Sequence, residues 1–294
     1  MESLRSSQGD VVIISRTVSP RLLLPTHRWL LTRIARRAIV IWDFDDNMLD
    51  QGIISRAEHD LLSAVSHRIV VTHQFLADTI APEYRAKVAV LPTTDGSMCN
   101  DTNDELLEPR LQSYDSEIRL VWLGTAGNLV FLRSIIAQLD RCADELLRTY
   151  QKRLTLHVVC NQKLLCATST LHIVNTDWTH EAGIQALRDA HIGIMPLADN
   201  EFTRGKGGFK LIQCLAAALP VVASNVGFNT RVINDRCGRL VSADVAEADW
   251  TTAIITFCTD AEAYRAAAVA AREQYFERFN YNAARQQWRS WVQE

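Results

Sequence analysis

Residues 191–227 read HIGIMPLADNEFTRGKGGFKLIQCLAAALPVVASNVG. A short apolar run at 192–195 is followed by a basic, glycine-rich loop, an apolar helical pattern and a second β-branched run at 221–224. Strand, glycine loop, helix, strand is the layout of a phosphate site in a parallel α/β sheet. Glycines let backbone approach a diphosphate, and the first N–H groups of the helix point at the anion, where the helix dipole favours negative charge. Lys206 and Lys210 add formal charge beside that helix start. In a parallel sheet such a loop lies at the carboxyl ends of the strands. Spacing alone leaves a second reading open, because Gly and Lys near a helix start also occur as plain turn chemistry.

Outward from this stretch, β-branched runs alternate with helical patterns. They fall at 11–15, 38–42, 68–72 and 87–91, and again at 118–123, 155–159 and 171–174. This is the rhythm of βαβ units and doubly wound parallel sheets. The polar stretch CNDTNDELLEPRLQSYDSE separates the two series and reads as a linker. It gives a first domain over 1–112, a second over 113–275, and a carboxyl-terminal helix over 276–294 expected to pack back toward the first. Few strands precede the break, so the first domain reads as incomplete.

Composition sets limits. The formal charge of −3 and pI near 6.3 argue against nucleic acid as a partner. Cys99, Cys142, Cys160, Cys166, Cys214, Cys237 and Cys258 form no CxxC pair and no Cys/His zinc spacing, so neither a structural metal nor a disulfide framework is expected. The opening MESLRSSQGD lacks the apolar core of a secretory signal, which gives a cytoplasmic expectation. Residues 21–37, RLLLPTHRWLLTRIARR, carry five arginines and no acid beside Trp29, Leu30, Leu31 and Ile34. Two readings stand: a peripheral contact with an anionic membrane face, or an ordinary core-packing helix.

The string KGGFKLIQCLAAALPVVASNVG resembles the signature of family 4 glycosyltransferases, and the resemblance continues in IRLVWLGTAGNLVFL, NTDWTHEAGIQALRDAHIGIMPL, IVIWDFDDNML and VVTHQFLADTIAPEYRAKVAVLPTTDG. It implies a GT-B fold of two Rossmann-like domains, the second binding a nucleotide-sugar donor and the first a glycan or lipid-linked acceptor. It also implies transfer with retention, no bound metal or cofactor, and a place in polysaccharide synthesis. By matching position, Gly124, Thr125, Lys206, Gly207, Gly208 and Lys210 approach the donor phosphates, and Asn175, Trp178 and Gln213 lie in the nucleobase or ribose region. Many members carry glutamates where this chain has Gly205 and Gln213, which leaves a second reading: a degenerate nucleotide-sugar-binding protein. No catalytic base can be named.

Other features carry less. Asp43 and Asp45 in DFDDN, after the run AIVIW, resemble the first motif of haloacid-dehalogenase-type phosphatases, with Asp43 as nucleophile and Asp45 as general acid. Asn47 replaces the usual threonine, and no later acidic pair completes a magnesium site. Acids that end a strand and cap the next segment are the alternative. Arg16, following the first run, is a candidate cleft residue to meet phosphate or acceptor, or else a surface charge.

Overall fold

The computed structural model describes residues 10–18 and 24–293. The chain divides into two compact units. The first gathers residues 1–93, 200–207 and 284–294, and the second 94–199 and 208–283.

In the first unit the elements run β1 (Asp10–Ser15), α1 (Pro25–Ala35), β2 (Ala38–Phe44), α2 (Arg56–Val65), β3 (Arg68–Val71), α3 (Gln74–Asp78) and β4 (Val88–Val90). The strands pair in parallel in the order β1-β2-β3-β4. β2 is apolar along almost its whole length because helices and chain cover both of its faces. Val40, Trp42 and Phe44 point to one face, with Leu31, Leu62 and Leu76. Ile41 points to the other, with Val70 and Trp291. Alternate residues of a strand face opposite ways, so one sequence run feeds both layers. The Arg68 guanidinium lies 4.9 Å from the Trp291 ring centre, over the indole.

The second unit contains α4 (Asn103–Leu111), β5 (Glu117–Leu123), α5 (Leu129–Tyr150), β6 (Arg153–Cys160), β7 (His172–Asp177), α6 (His180–Asp189) and β8 (Ile192–Met195). The short helix α7 (Glu201–Arg204) belongs by its contacts to the first unit. There follow α8 (Phe209–Ala216), β9 (Val221–Ser224), α9 (Asn229–Val232), β10 (Gly238–Val241), α10 (Trp250–Ile255) and α11 (Ala261–Arg278), and the chain ends in α12 (Tyr281–Gln293). The strand order β7-β6-β5-β8-β9-β10 is that of a dinucleotide-binding sheet, with its topological switch between β5 and β8. Leu120, Trp122, Leu156, Val158 and Ile194 pack on the face covered by α5 and α10. Val121, Leu123, Val221 and Ala223 pack on the face that holds α8 and α11.

Several local features differ from the sequence reading. The polar stretch after Cys99 is not bare linker, because it carries α4, closed by a capping box in which Thr102 Oγ1 accepts from Glu105 N and Glu105 accepts from Thr102 N. β10 adds a strand that the sequence reading lacks. In the basic segment, residues 21–23, including Leu22 and Leu23, lie outside the described residues, and the helix begins at Pro25. Trp29 on this helix is 61% exposed, with Arg33 over its ring, while Leu31 is buried. Among the described residues no helix is long and apolar enough to cross a membrane.

Two buried arginines hold the carboxyl end of α8. Arg110 donates to the carbonyls of Ala217 (2.7 Å), Ala218 (3.0 Å), Leu187 (3.0 Å) and Arg188 (2.8 Å), which lie at the ends of α8 and α6. Arg272 reaches the carbonyls of Ala216, Met98 and Asp101. Carbonyls of a last helical turn have no partner within the helix, and a cation there also opposes the negative end of the dipole. Ala218 takes a left-handed φ of 52°, a conformation that costs a non-glycine residue about 1 kcal/mol, and Arg110 holds its carbonyl. Arg110→Met therefore destabilises the protein by about 3 kcal/mol or more in denaturant unfolding, because buried carbonyls lose their donors. Arg148→Met, which breaks an exposed pair with Asp144, changes stability by no more than about 0.5 kcal/mol.

Candidate functional site

In the second unit Gly124 and Thr125 follow β5, while Gly208 and Lys210 stand at the start of α8, after the loop that leaves β8. Gly124 follows β5 directly, and its N–H donates to Val159 O at 3.2 Å. A Cβ on Gly124 would stand 2.3 Å from the Trp122 ring, so the indole closes the space a side chain would need. Thr125 Oγ1 accepts from Asn128 Nδ2 at 3.0 Å, and Ala126 N donates to Asn161 Oδ1 at 3.1 Å, which fixes the turn before α5. Past β8, Leu197 N is held by Ser224 Oγ at 2.9 Å, tying the loop to the end of β9.

Gly208 starts α8 with φ +65°, the left-handed region that glycine enters without strain. Helix geometry leaves the N–H groups of the first turn, at Phe209 and Lys210, without intrahelical partners. Lys210 Nζ donates to Gln213 Oε1 at 3.1 Å, and Gln213 Nε2 donates to Asp95 Oδ2 at 2.6 Å. Burial holds the Lys210 ammonium below the usual lysine range, opposed by Cys214 and Asp95. Asp95 is not among the sequence-predicted site residues, and its partner is 118 residues away along the chain.

The nucleobase candidates are placed differently. Asn175 spends its amide on the Leu164 backbone, accepting from N at 2.7 Å and donating to O at 3.2 Å, and so pins the loop after β6. Trp178 is 53% exposed at the end of β7. A separate cavity of about 190 Å³ is lined by Phe131, Leu197, Ser224, Val245 and Trp250 among others, and by none of the predicted residues.

The first half of the glycine loop belongs to the first unit. A Cβ on Gly205 would meet Asn47 Cβ at 2.5 Å, and one on Gly207 would meet Asp45 O at 2.8 Å. Lys206 Nζ lies 4.2 Å from the centre of the Phe202 ring. Burial lowers its pKa, and the charges of Asp46 and Asp45 raise it. The sequence-predicted lysines are therefore held by different sets of contacts. Arg16 ends β1 in a left-handed conformation (φ 67°), with its carbonyl accepting from Trp42 Nε1 at 2.9 Å. Its guanidinium lies 3.5 Å from Asp45 and from Asp46. Two cations thus face the carboxylates that follow β2, the reverse of the all-oxygen set a magnesium-dependent phosphatase needs. His73, buried at the end of β3, is held below the usual histidine range by burial, while a hydrogen bond with the Gly205 backbone works the other way.

Residues 119–260 match the family model described as glycosyl transferases group 1. Over these residues the second unit is similar to the group 1 glycosyltransferases, and the chain's two parallel sheets, the first smaller, are GT-B-like. A Staphylococcus aureus TarM mutant, solved with fondaparinux, α-GlcNAc-glycerol and UDP, is similar at 11% identity and TM-score 0.58, over 88% of this chain. This chain spans about half, 52%, of that protein's length. Anabaena HepE in complex with UDP is similar at 11% identity and TM-score 0.62, over 96% of this chain and 78% of that one. A UDP-forming α,α-trehalose-phosphate synthase from Burkholderia xenovorans gives 9% identity and TM-score 0.66, over 100% of this chain and 75% of that one. At these identities the likeness is one of fold. Curated proteins give no match.

The carboxylates of the first unit make a pH prediction. Burial, with the charge of Asp45 adding, pushes Asp43 up from 3.8 to about 6. A carboxyl whose folded pKa is raised contributes stability that is present below the unfolded pKa and is lost as pH rises through the folded one. Asp43→Asn should therefore leave stability at pH 4 nearly unchanged and raise it at pH 7, by on the order of 1–3 kcal/mol in denaturant unfolding.

Proposed function

We propose that this protein is a nucleotide-sugar glycosyltransferase, moving a glycosyl residue from a nucleoside-diphosphate donor to a hydroxyl of a glycan or lipid-linked acceptor. The observation that carries the reading is the start of α8: a left-handed Gly208, free first-turn N–H geometry and the Lys210 ammonium, in a sheet of dinucleotide-binding order. Gly124, at the carboxyl end of β5 beside the topological switch, gives a second close backbone approach. Similar folds solved with UDP make the uridine diphosphate group the first donor fragment to test.

In such a reaction negative charge develops on the leaving diphosphate as the glycosidic bond to it breaks. Donors fixed beforehand at that place lower the barrier without reorganising during reaction. The α8 N–H groups and Lys210 are the candidates here, with Gly124, Thr125, Lys206 and Gly207 as further phosphate candidates and Asn175, Trp178 and Gln213 toward the base or ribose. Loss of one charge-assisted contact removes about 1.5–3 kcal/mol, so Lys210→Ala weakens UDP binding by roughly tenfold or more in titration calorimetry. Replacing Lys206 and Lys210 together should abolish it, and unchanged affinity would move the site elsewhere.

Gly205 and Gln213, where the family resemblance leads one to expect glutamates, favour a second reading, a binding protein without turnover. Calorimetry with a panel of nucleotide sugars, followed by a donor-hydrolysis assay, separates the two. Binding with turnover supports the transferase, whereas binding without it supports the second reading.

A further inference from the structure

Gln213 is engaged at both ends of its amide. Its oxygen accepts from the Lys210 ammonium at 3.1 Å, and its nitrogen donates to the Asp95 carboxylate at 2.6 Å. Asp95 is 6% exposed and Gln213 8% exposed, so these are interior contacts. The arrangement has one chemically consistent orientation. Turning the amide over would set oxygen against carboxylate and NH₂ against ammonium, losing both bonds at once. The charges at the two ends therefore fix the amide, and the amide fixes the ammonium.

Asp95 is itself held from two directions. Its Oδ1 accepts from Ser97 N at 2.6 Å, and its backbone carbonyl accepts from Tyr275 Oη of α11 at 2.6 Å. The groups facing Lys210 are few. Asp95 acts through Gln213, Cys214 lies on the same helix, and the Phe209 ring centre is 5.1 Å from Nζ. Tyr275 reaches the backbone of Asp95 rather than the ammonium. Burial pushes the ammonium toward its neutral form, and Asp95 is the carboxylate that opposes this.

We infer that Asp95 and Gln213 are positioning residues, a carboxylate–amide relay that keeps Lys210 charged and aimed at the donor diphosphate. The inference rests on the reading of Lys210 as a diphosphate ligand. It adds that the affinity of the site depends on a carboxylate that does not touch the donor.

The test is calorimetric titration of the full chain with UDP from neutral into alkaline pH, since burial pushes the Lys210 ammonium toward its neutral form. Affinity requires the charged ammonium, so it falls as pH rises through the Lys210 pKa. Asp95→Asn removes the opposing charge and lowers that pKa, so the alkaline fall begins at lower pH than in the unchanged protein. Binding at the alkaline end becomes about tenfold weaker, the size of one charge-assisted contact. Comparing affinities at each pH cancels the titration of UDP itself. Asp95→Asn combined with Gln213→Glu moves the carboxylate next to Lys210, and the alkaline fall should return to its original place or above. Should Asp95→Asn fail to accumulate as folded protein, Gln213→Met reports the same loss, since it keeps the volume and removes both relay bonds. An unchanged pH profile in Asp95→Asn or Gln213→Met overturns the inference. So does a loss that the double variant leaves uncorrected, because a merely structural role would not respond to relocation of the charge. Lys210→Ala separates the two levels. If it binds UDP normally, the diphosphate reading itself fails. If it binds poorly while Asp95→Asn is unaffected, only the relay is lost.

Discussion

The carboxyl end of α8, clamped by the guanidinium groups of Arg110 and Arg272, is the constraint on which the second unit depends. α8 has eight residues, too few to be stable alone, so its place comes from packing and from its ends. Arg110 binds the ends of α6 and α8 in one fork, and Arg272 ties α8 to the Met98 and Asp101 backbone. Neither buried cation relies on a carboxylate for these bonds; backbone carbonyl dipoles solvate them instead. Fixing one end of so short a helix also fixes the other. The orientation of Gly208, Lys210 and the first-turn N–H groups follows from contacts made at the opposite end.

What the sequence made legible was what local periodicity encodes. Continuous β-branched runs such as 38–42 and 221–224 mark strands buried on both faces, and the observed β2 and β9 lie there. β10 was not legible, because GRLV has an arginine at its centre and only four residues. α4 was hidden by polarity and by Pro109 inside it, although the pair Thr102 and Glu105 is a capping-box signal that marks its start. The glycines were legible as places of close backbone packing, and the structure puts Gly124, Gly205 and Gly207 where a side chain would not fit. Asp95 was not, because its meaning arises only when Gln213 is folded against it.

The glycine loop is the place where sequence contiguity misleads most. Gly205, Lys206 and Gly207 read as one motif with Gly208 and Lys210, yet their contacts belong to the first unit, against Asp45, Asn47 and Thr72. Gly205 and Gly207 pack closely on the chain that follows β2 and β3, and Gly208 takes a left-handed backbone conformation. Two physical demands with the same residue preference, side by side, produce one apparent signature.

The first unit is assembled from three separate pieces of chain, and its second layer is closed by Trp291 lying on Ile41 and Val70. During synthesis, β1 to β4 emerge long before the helix that covers one of their faces. Contacts that span most of a chain form slowly, because the loop between them must close first. Until Trp291 arrives, that face of β2 and β3 stays apolar and uncovered, which is the condition under which nascent chains associate wrongly or engage chaperones. All of the second unit, 94–199 and 208–283, leaves the ribosome before Trp291 does, so the unit that contains β1 to β4 is the one whose pieces are last to be all present.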